Sequence, residues 1–154
     1  MNKTDFLISE LTSKIIKQAS IQAVKKDINI INECTCSGSK LHTDYELLYQ
    51  VLENLLSNAI KFSEPGTNIY LRCLCTADTS ILEIEDQGPG FSDEDLKKLY
   101  SNFSKLSAKP TGNEHSTGLG LSIVKKLCDL LGAEISLHSQ LNSGSKFILK
   151  FKNK

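Results

Sequence analysis

The chain has 154 residues, 40% apolar and 23% charged, a balance that excludes wholesale disorder and suits one domain with a hydrophobic core. Eighteen Lys and Arg offset eighteen Asp and Glu, so no broad basic surface for nucleic acid is expected. Arg72 is the sole arginine, which leaves lysine, backbone N–H groups or a metal ion to meet any anion in a pocket.

No apolar run approaches the roughly 18–20 residues of a membrane-spanning helix, and Met1–Asp5 lacks a signal-peptide pattern. No direct membrane contact is therefore expected. The cysteines are Cys34, Cys36, Cys73, Cys75 and Cys128. Their Cys-x-Cys spacing is not the Cys-x-x-Cys of zinc or thioredoxin-like sites. They are expected to serve as small apolar residues in a reducing cytosol, with Cys73 and Cys75 on one face of a strand.

In chain order, Phe6, Leu7, Leu11, Ile15 and Ile16 predict a helix from Thr4 to about Lys25, with Thr4 or Asp5 capping it. A short strand follows at 28–31, then a loop at 36–40. A second helix is expected from Asp44 to Phe62, stopped by Glu64-Pro65-Gly66. Strands near 68–76 and 80–85 form a hairpin. Ser92 precedes the acidic first turn of a short helix at Asp93-Glu94-Asp95. Residues 101–117 read as a long loop, of the kind that is functional or mobile inside compact domains. A third main helix spans 118–131 and Gly132 closes it. A last hairpin pairs 134–138 with 146–151 around Asn142-Ser143-Gly144.

Chemistry-bearing residues fall in three places. Asn54, Asn58 and Lys61 share one face of an otherwise apolar helix, being four and three residues apart. They are either a solvated stripe or a carboxamide oxygen for a hard cation with a lysine beside it for phosphate. Asp86-x-Gly88-x-Gly90 ends a strand. It is either an ordinary turn or a carboxylate that accepts from an exocyclic amine such as adenine's, with glycines admitting a flat ring. Ser116-Thr117-Gly118-Leu119-Gly120-Leu121 opens a helix, where N-terminal amides make an anion site. It is neither a Walker loop, lacking Gly-Lys-Ser/Thr, nor a dinucleotide Gly-x-Gly-x-x-Gly.

Taken in order, these segments resemble the catalytic, ATP-binding domain of bacterial two-component sensor histidine kinases, within the Bergerat-fold ATPases shared with DNA gyrase and heat-shock chaperones. Residues 53–63 are similar to the family's N box, 86–91 to its first glycine box, 99–106 (around Phe103) to its F box and 116–124 to its second glycine box. The last hairpin has the family's Ser-x-x-x-x-Gly-Ser-x-Phe character. The resemblance covers about Asp5 to Phe151.

The resemblance implies one α+β domain over 1–154. It is a two-layer sandwich in which a mixed, mainly antiparallel five-stranded sheet is covered on one face by three helices. Residues 4–31 would form an N-terminal helix and strand, and 101–117 an ATP lid. Asp86 would bind the adenine amine, and Phe62 would pack on the ring, where the family often has tyrosine. Asn58 would coordinate magnesium bridging the phosphates of ATP, with Asn54 and Lys61 near them. Lys105 would reach the triphosphate from the lid. Ser116, Thr117, Gly118, Leu119 and Gly120 would supply further lid contacts, and Gly88 and Gly90 the close approach.

The implied reaction is donation of the γ-phosphoryl group to a histidine on a separate dimerisation and phosphoacceptor hairpin domain, with a response regulator downstream. Catalysis would rest on positioning and charge neutralisation by magnesium, Asn54, Lys61 and Lys105. His42, His115 and His138 are poor nucleophiles by context. In hydrolytic relatives a glutamate generally stands where Asn54 does, and an amide cannot take a proton at neutral pH. Slow hydrolysis by the isolated chain is therefore expected, as are a monomer and a cytoplasmic location. Two other readings are a serine kinase of the anti-sigma-factor type, whose members tend to keep that glutamate, and a non-catalytic nucleotide-binding scaffold.

Overall fold

Alternating apolar and polar residues build the sheet. In the computed structural model, which describes residues 1–94, 97 and 119–153, the strand Asn68–Cys75 and its neighbours follow that alternation. The strands are β1 (Lys3–Leu7), β2 (Asn29–Cys34), β3 (Lys40–Asp44), β4 (Asn68–Cys75), β5 (Thr79–Asp86), β6 (Glu134–Ser139) and β7 (Ser145–Lys152). Ile69, Leu71, Cys73, Leu82 and Ile84 point to one face and are buried, as are Phe147, Leu149 and Phe151 of β7.

Five strands form one sheet in the order β2-β4-β5-β7-β6. Only β2 and β4 run parallel, and the other pairs are antiparallel. Three helices, α1 (Ile8–Lys25), α2 (Tyr45–Phe62) and α3 (Leu119–Leu131), complete the two-layer α+β sandwich. Their buried residues recur at helical spacing: Ile8, Leu11 and Ile15 on α1; Leu48, Val51, Leu52, Leu55, Leu56 and Ala59 on α2; Leu121, Val124, Cys128 and Leu131 on α3. The sheet's other face is polar. There Arg72 reaches Glu33 (3.3 Å) and Glu85 (3.0 Å), and Lys146 approaches Glu85 (3.7 Å).

Helix ends find partners both near and far along the chain. Asp44 caps α2 by accepting from the Leu47 N–H (3.1 Å) and also holds the Asn2 N–H (2.6 Å). These two backbone donors, Asn2 first, keep its carboxyl below the usual range. At the other end, Lys26 Nζ donates to the Ile60 and Lys61 carbonyls (2.9 and 3.0 Å), placing a cation at the negative end of the helix. Gly132 follows α3 with φ +71°, and the Ala133 N–H reaches back to the Cys128 carbonyl.

Three expectations are corrected. The N-terminal segment is strand, not helix, up to Leu7. It pairs antiparallel with β3, which the local pattern did not disclose because each strand is defined only by the other. Neither Thr4 nor Asp5 caps α1. Leu7 occupies the cap position without a side-chain bond, and the Ile8 N–H donates to the Ser39 carbonyl (3.1 Å). Third, Cys36 and Cys75 form a disulfide. Cys73 and Cys128 are buried free thiols, as expected, and burial pushes both upward in pKa, Cys128 to about 12. Asp93, Glu94 and Lys97 are helical, whereas the expected loop and lid of 101–117 lie outside the described residues. No described helix is long and apolar enough to cross a membrane.

Candidate nucleotide site

Asp86 is the last residue of β5, and sheet alternation turns its side chain inward with Leu82 and Ile84. Only 8% of the residue remains exposed. Burial raises its pKa to about 6, against the opposing pull of the Gly88 and Ser145 backbone N–H groups. One carboxylate oxygen accepts from the Gly88 N–H at 2.8 Å.

Asp86 lies in a cleft lined by Asn58, Ala59, Phe62, Gly90, Phe91, Leu121, Ser145 and Phe147. One wall is α2, which presents Asn58 and Phe62 one turn apart; α3 supplies Leu121, and β7 supplies Ser145 and Phe147. Phe62 meets Phe91 edge to face, with ring centroids 6.4 Å apart. A mainly apolar slot that holds a buried carboxylate has the chemistry to receive an amine donor on an otherwise apolar group. Among the described residues no cluster of three His, Cys, Asp or Glu could hold a metal. A cation here would have one carboxamide oxygen, from Asn58, and would take the rest of its shell from a ligand or water.

The glycines of the Asp86 turn answer first to the protein. A Cβ on Gly88 would lie 2.8 Å from the Phe62 carbonyl oxygen. One on Gly90, where φ is +72°, would strike the Gln140 carbonyl, and one on Gly144, at φ +89°, the Asp86 carbonyl. Around them the Phe91 N–H donates to Ser139 Oγ (2.8 Å), Ser139 Oγ contacts Ser145 Oγ (3.0 Å), and the Asn142 N–H donates to the Pro89 carbonyl (2.6 Å). The final hairpin therefore supports the turn from beneath. Its serines and Gly144 were visible in the sequence as a motif, but their role was not.

Of the expected site residues, Asn58, Phe62, Asp86 and Gly90 line one cleft, and Gly88 is bonded to its carboxylate. Asn54 stands one turn before Asn58, half-buried, with Nδ2 turned back to the Gln50 carbonyl (3.0 Å). Lys61 precedes Phe62 on α2, outside the cleft lining. Leu119 and Gly120 begin α3. Phe103, Lys105, His115, Ser116, Thr117 and Gly118 lie outside the described residues. His42 pairs with Asp5 across β1 and β3 (2.7 Å) at the exposed surface, away from this cleft. Phe91, Leu121 and Phe147 also line the cleft; the sequence placed each inside a motif but assigned none of them to the site.

Residues 43–154 match the family described as histidine kinase-, DNA gyrase B- and HSP90-like ATPase. The sensor protein SrrB of Staphylococcus aureus is 36% identical over 107 residues, which make up 70% of this chain and 18% of SrrB. The chain thus spans about a fifth of the curated relatives it matches. A solved catalytic domain of the histidine kinase ThkA superposes with a TM-score of 0.83 at 25% identity, covering 99% of this chain and 96% of that one. The Acinetobacter baumannii histidine kinase AdeS gives 0.77 at 26% identity, covering 99% and 68%. The chain belongs to the histidine kinase-, gyrase- and HSP90-like ATPase family and is an ATPase domain of the sensor histidine kinase type.

Proposed function

We propose that this domain binds magnesium-ATP in the Asp86 cleft and donates the γ-phosphoryl group to a histidine on a separate phosphoacceptor hairpin domain, in two-component signalling. The buried Asp86 carboxylate, at the floor of an apolar slot with Asn58 on its wall, carries this reading. Its unprotonated oxygen would accept the adenine amine, and the rings of Phe62 and Phe91 would flank the base. Asn58 would hold the magnesium ion, which neutralises phosphate charge when bound. Asn54 and Lys61 would orient the phosphates, with Lys105 and the Ser116–Gly120 segment reaching them from the lid.

In the transfer, the acceptor imidazole nitrogen attacks the γ-phosphorus and ADP leaves with the bridging oxygen. The protein's part is alignment and electrostatic support. Asn54 cannot deprotonate water, which favours transfer over hydrolysis. A response regulator is the proposed downstream partner, since ThkA has been solved in complex with the response regulator protein TrrA. We place the domain in the cytoplasm and treat it as a monomer when isolated.

The test is incubation with γ-labelled ATP and a separately supplied histidine hairpin domain. Acid-labile, base-stable label on the hairpin is expected. Phosphoserine would select the anti-sigma type of kinase, and tight nucleotide binding without transfer to any hairpin would select a scaffold.

A further inference from the structure

The two Cys-x-Cys segments, which the Asp86 cleft does not use, are brought together by the parallel pairing of β2 with β4. β2 and β4 are in register with Cys34 opposite Cys73. Thr35 extends the pairing one residue beyond β2, its N–H and Oγ1 both donating to the Cys73 carbonyl (3.3 and 2.9 Å). Cys36 therefore falls opposite Cys75. Strand alternation sends all four side chains to the same face, giving a two-by-two grid of sulfurs. The outer rung, Cys36–Cys75, is a disulfide with Cα atoms 5.6 Å apart. The inner rung, Cys34 beside Cys73, remains two thiols.

We propose that this grid is a reversible thiol–disulfide redox site, in which the Cys36–Cys75 bond is opened and closed by exchange with a dithiol–disulfide partner. Three observations carry it. β2 is an edge strand, so the grid lies at the rim of the sheet rather than in its middle. Cys36 is almost completely buried, whereas Cys75 keeps partial exposure, so an external thiolate approaches the bond from the Cys75 side. The inner rung has directly opposed thiols and is not joined, so the two rungs differ in redox state within one pairing register.

In reduction, a thiolate of the external dithiol attacks Cys75 Sγ, the Cys36–Cys75 bond breaks, and Cys36 leaves as a thiolate that takes a proton. The reductant's second thiolate then attacks its own sulfur in the mixed disulfide. Cys75 is released as a thiol and the reductant ends as a disulfide, two electrons having passed to the protein. Oxidation is the reverse, with a small disulfide as oxidant.

The consequence lies in the N-terminal half. The Ser39 N–H donates to the Cys36 carbonyl (3.1 Å), and the Ser39 carbonyl receives the Ile8 N–H that begins α1. The bond therefore anchors the turn leading into β3, the β1–β3 ribbon and the start of α1. Asp86 is at the far end of the sheet: in the β4–β5 register it faces Ile69, whereas Cys75 faces Ser80. Opening the bond loosens the ribbon without reshaping the cleft floor.

The test uses the whole chain in dithiothreitol redox buffers, with thiols alkylated under denaturing conditions and mapped by mass spectrometry. Three labels are expected on oxidised protein (Cys34, Cys73, Cys128) and five on reduced protein, interconverting reversibly. Reduction should lower the thermal midpoint by on the order of 10 °C and speed hydrogen exchange in residues 2–8 and 40–44. Cys34→Ser should keep that response, and Cys36→Ser and Cys75→Ser should abolish it. Five labels under oxidising buffer, a mapped Cys34–Cys73 bond, or a bond that dithiothreitol cannot open in folded protein would each overturn the proposal. Mapping on the unmutated chain settles the outcome even if a serine variant fails to fold.

Discussion

The proposed adenine contact at Asp86 sets function against stability. Its pKa is raised to about 6 from an ordinary 3.8, so the folded chain takes up this proton more readily than the unfolded one. Stability therefore rises as pH falls from above 6 towards 3.8, and the carboxylate costs stability in full above that window. Nucleotide affinity should move the opposite way, falling as pH drops through about 6, because a protonated carboxyl loses an acceptor. Asp86→Asn should accordingly weaken ATP binding at least tenfold while raising the urea midpoint at pH 7. Fluorescent-nucleotide titration and denaturation of the same sample measure both, and unchanged affinity would remove Asp86 from the adenine contact. Gly90→Ala should cost about 1–3 kcal/mol or more, since φ is +72° and the new Cβ meets the Gln140 carbonyl. Loss of nucleotide binding should accompany it, because the same turn carries Asp86.

At the scale of the element, α2 is the most informative segment. Its apolar stripe was readable because helical periodicity is local, and so were Asn54 and Asn58 as interruptions of it. Its cap is testable. Asp44→Ala should lower the thermal midpoint at pH 7, and the deficit should shrink as pH falls through the lowered pKa of Asp44, where the native chain loses the same carboxylate. A deficit that does not shrink as the pH is lowered would mean that the cap acts through packing instead. The β1–β3 ribbon was not readable. Lys3–Leu7 has two apolar residues at its end that fit the following helix pattern equally well, and only pairing with Lys40–Asp44 makes it a strand.

For the molecule as a whole, α2 supplies more buried apolar residues to the core than either of the other two long helices. Leu56 is fully buried, and Leu56→Ala should cost about 2–5 kcal/mol by chemical denaturation. A much smaller loss would show that α2 is not the central packing element. ATP turnover by the isolated chain should stay far below that of relatives with a glutamate at the Asn54 position, as a coupled phosphate-release assay would show.

By itself the sequence determined α2, α3 and most of α1, the β4–β5 and β6–β7 hairpins and the stop at Gly132, and it singled out Asn58, Phe62 and Asp86, which line one cleft. Each is encoded in periodicity, spacing or turn chemistry over a few adjacent residues. Tertiary structure alone decided that Asp86 is buried deeply enough to shift its pKa, that the final hairpin underpins its turn, that β1 is a strand, and which cysteine meets which. Those outcomes depend on registers between segments far apart in the chain, from Leu7 opposite Lys40 to Asp86 opposite Ser145, for which no local signal exists.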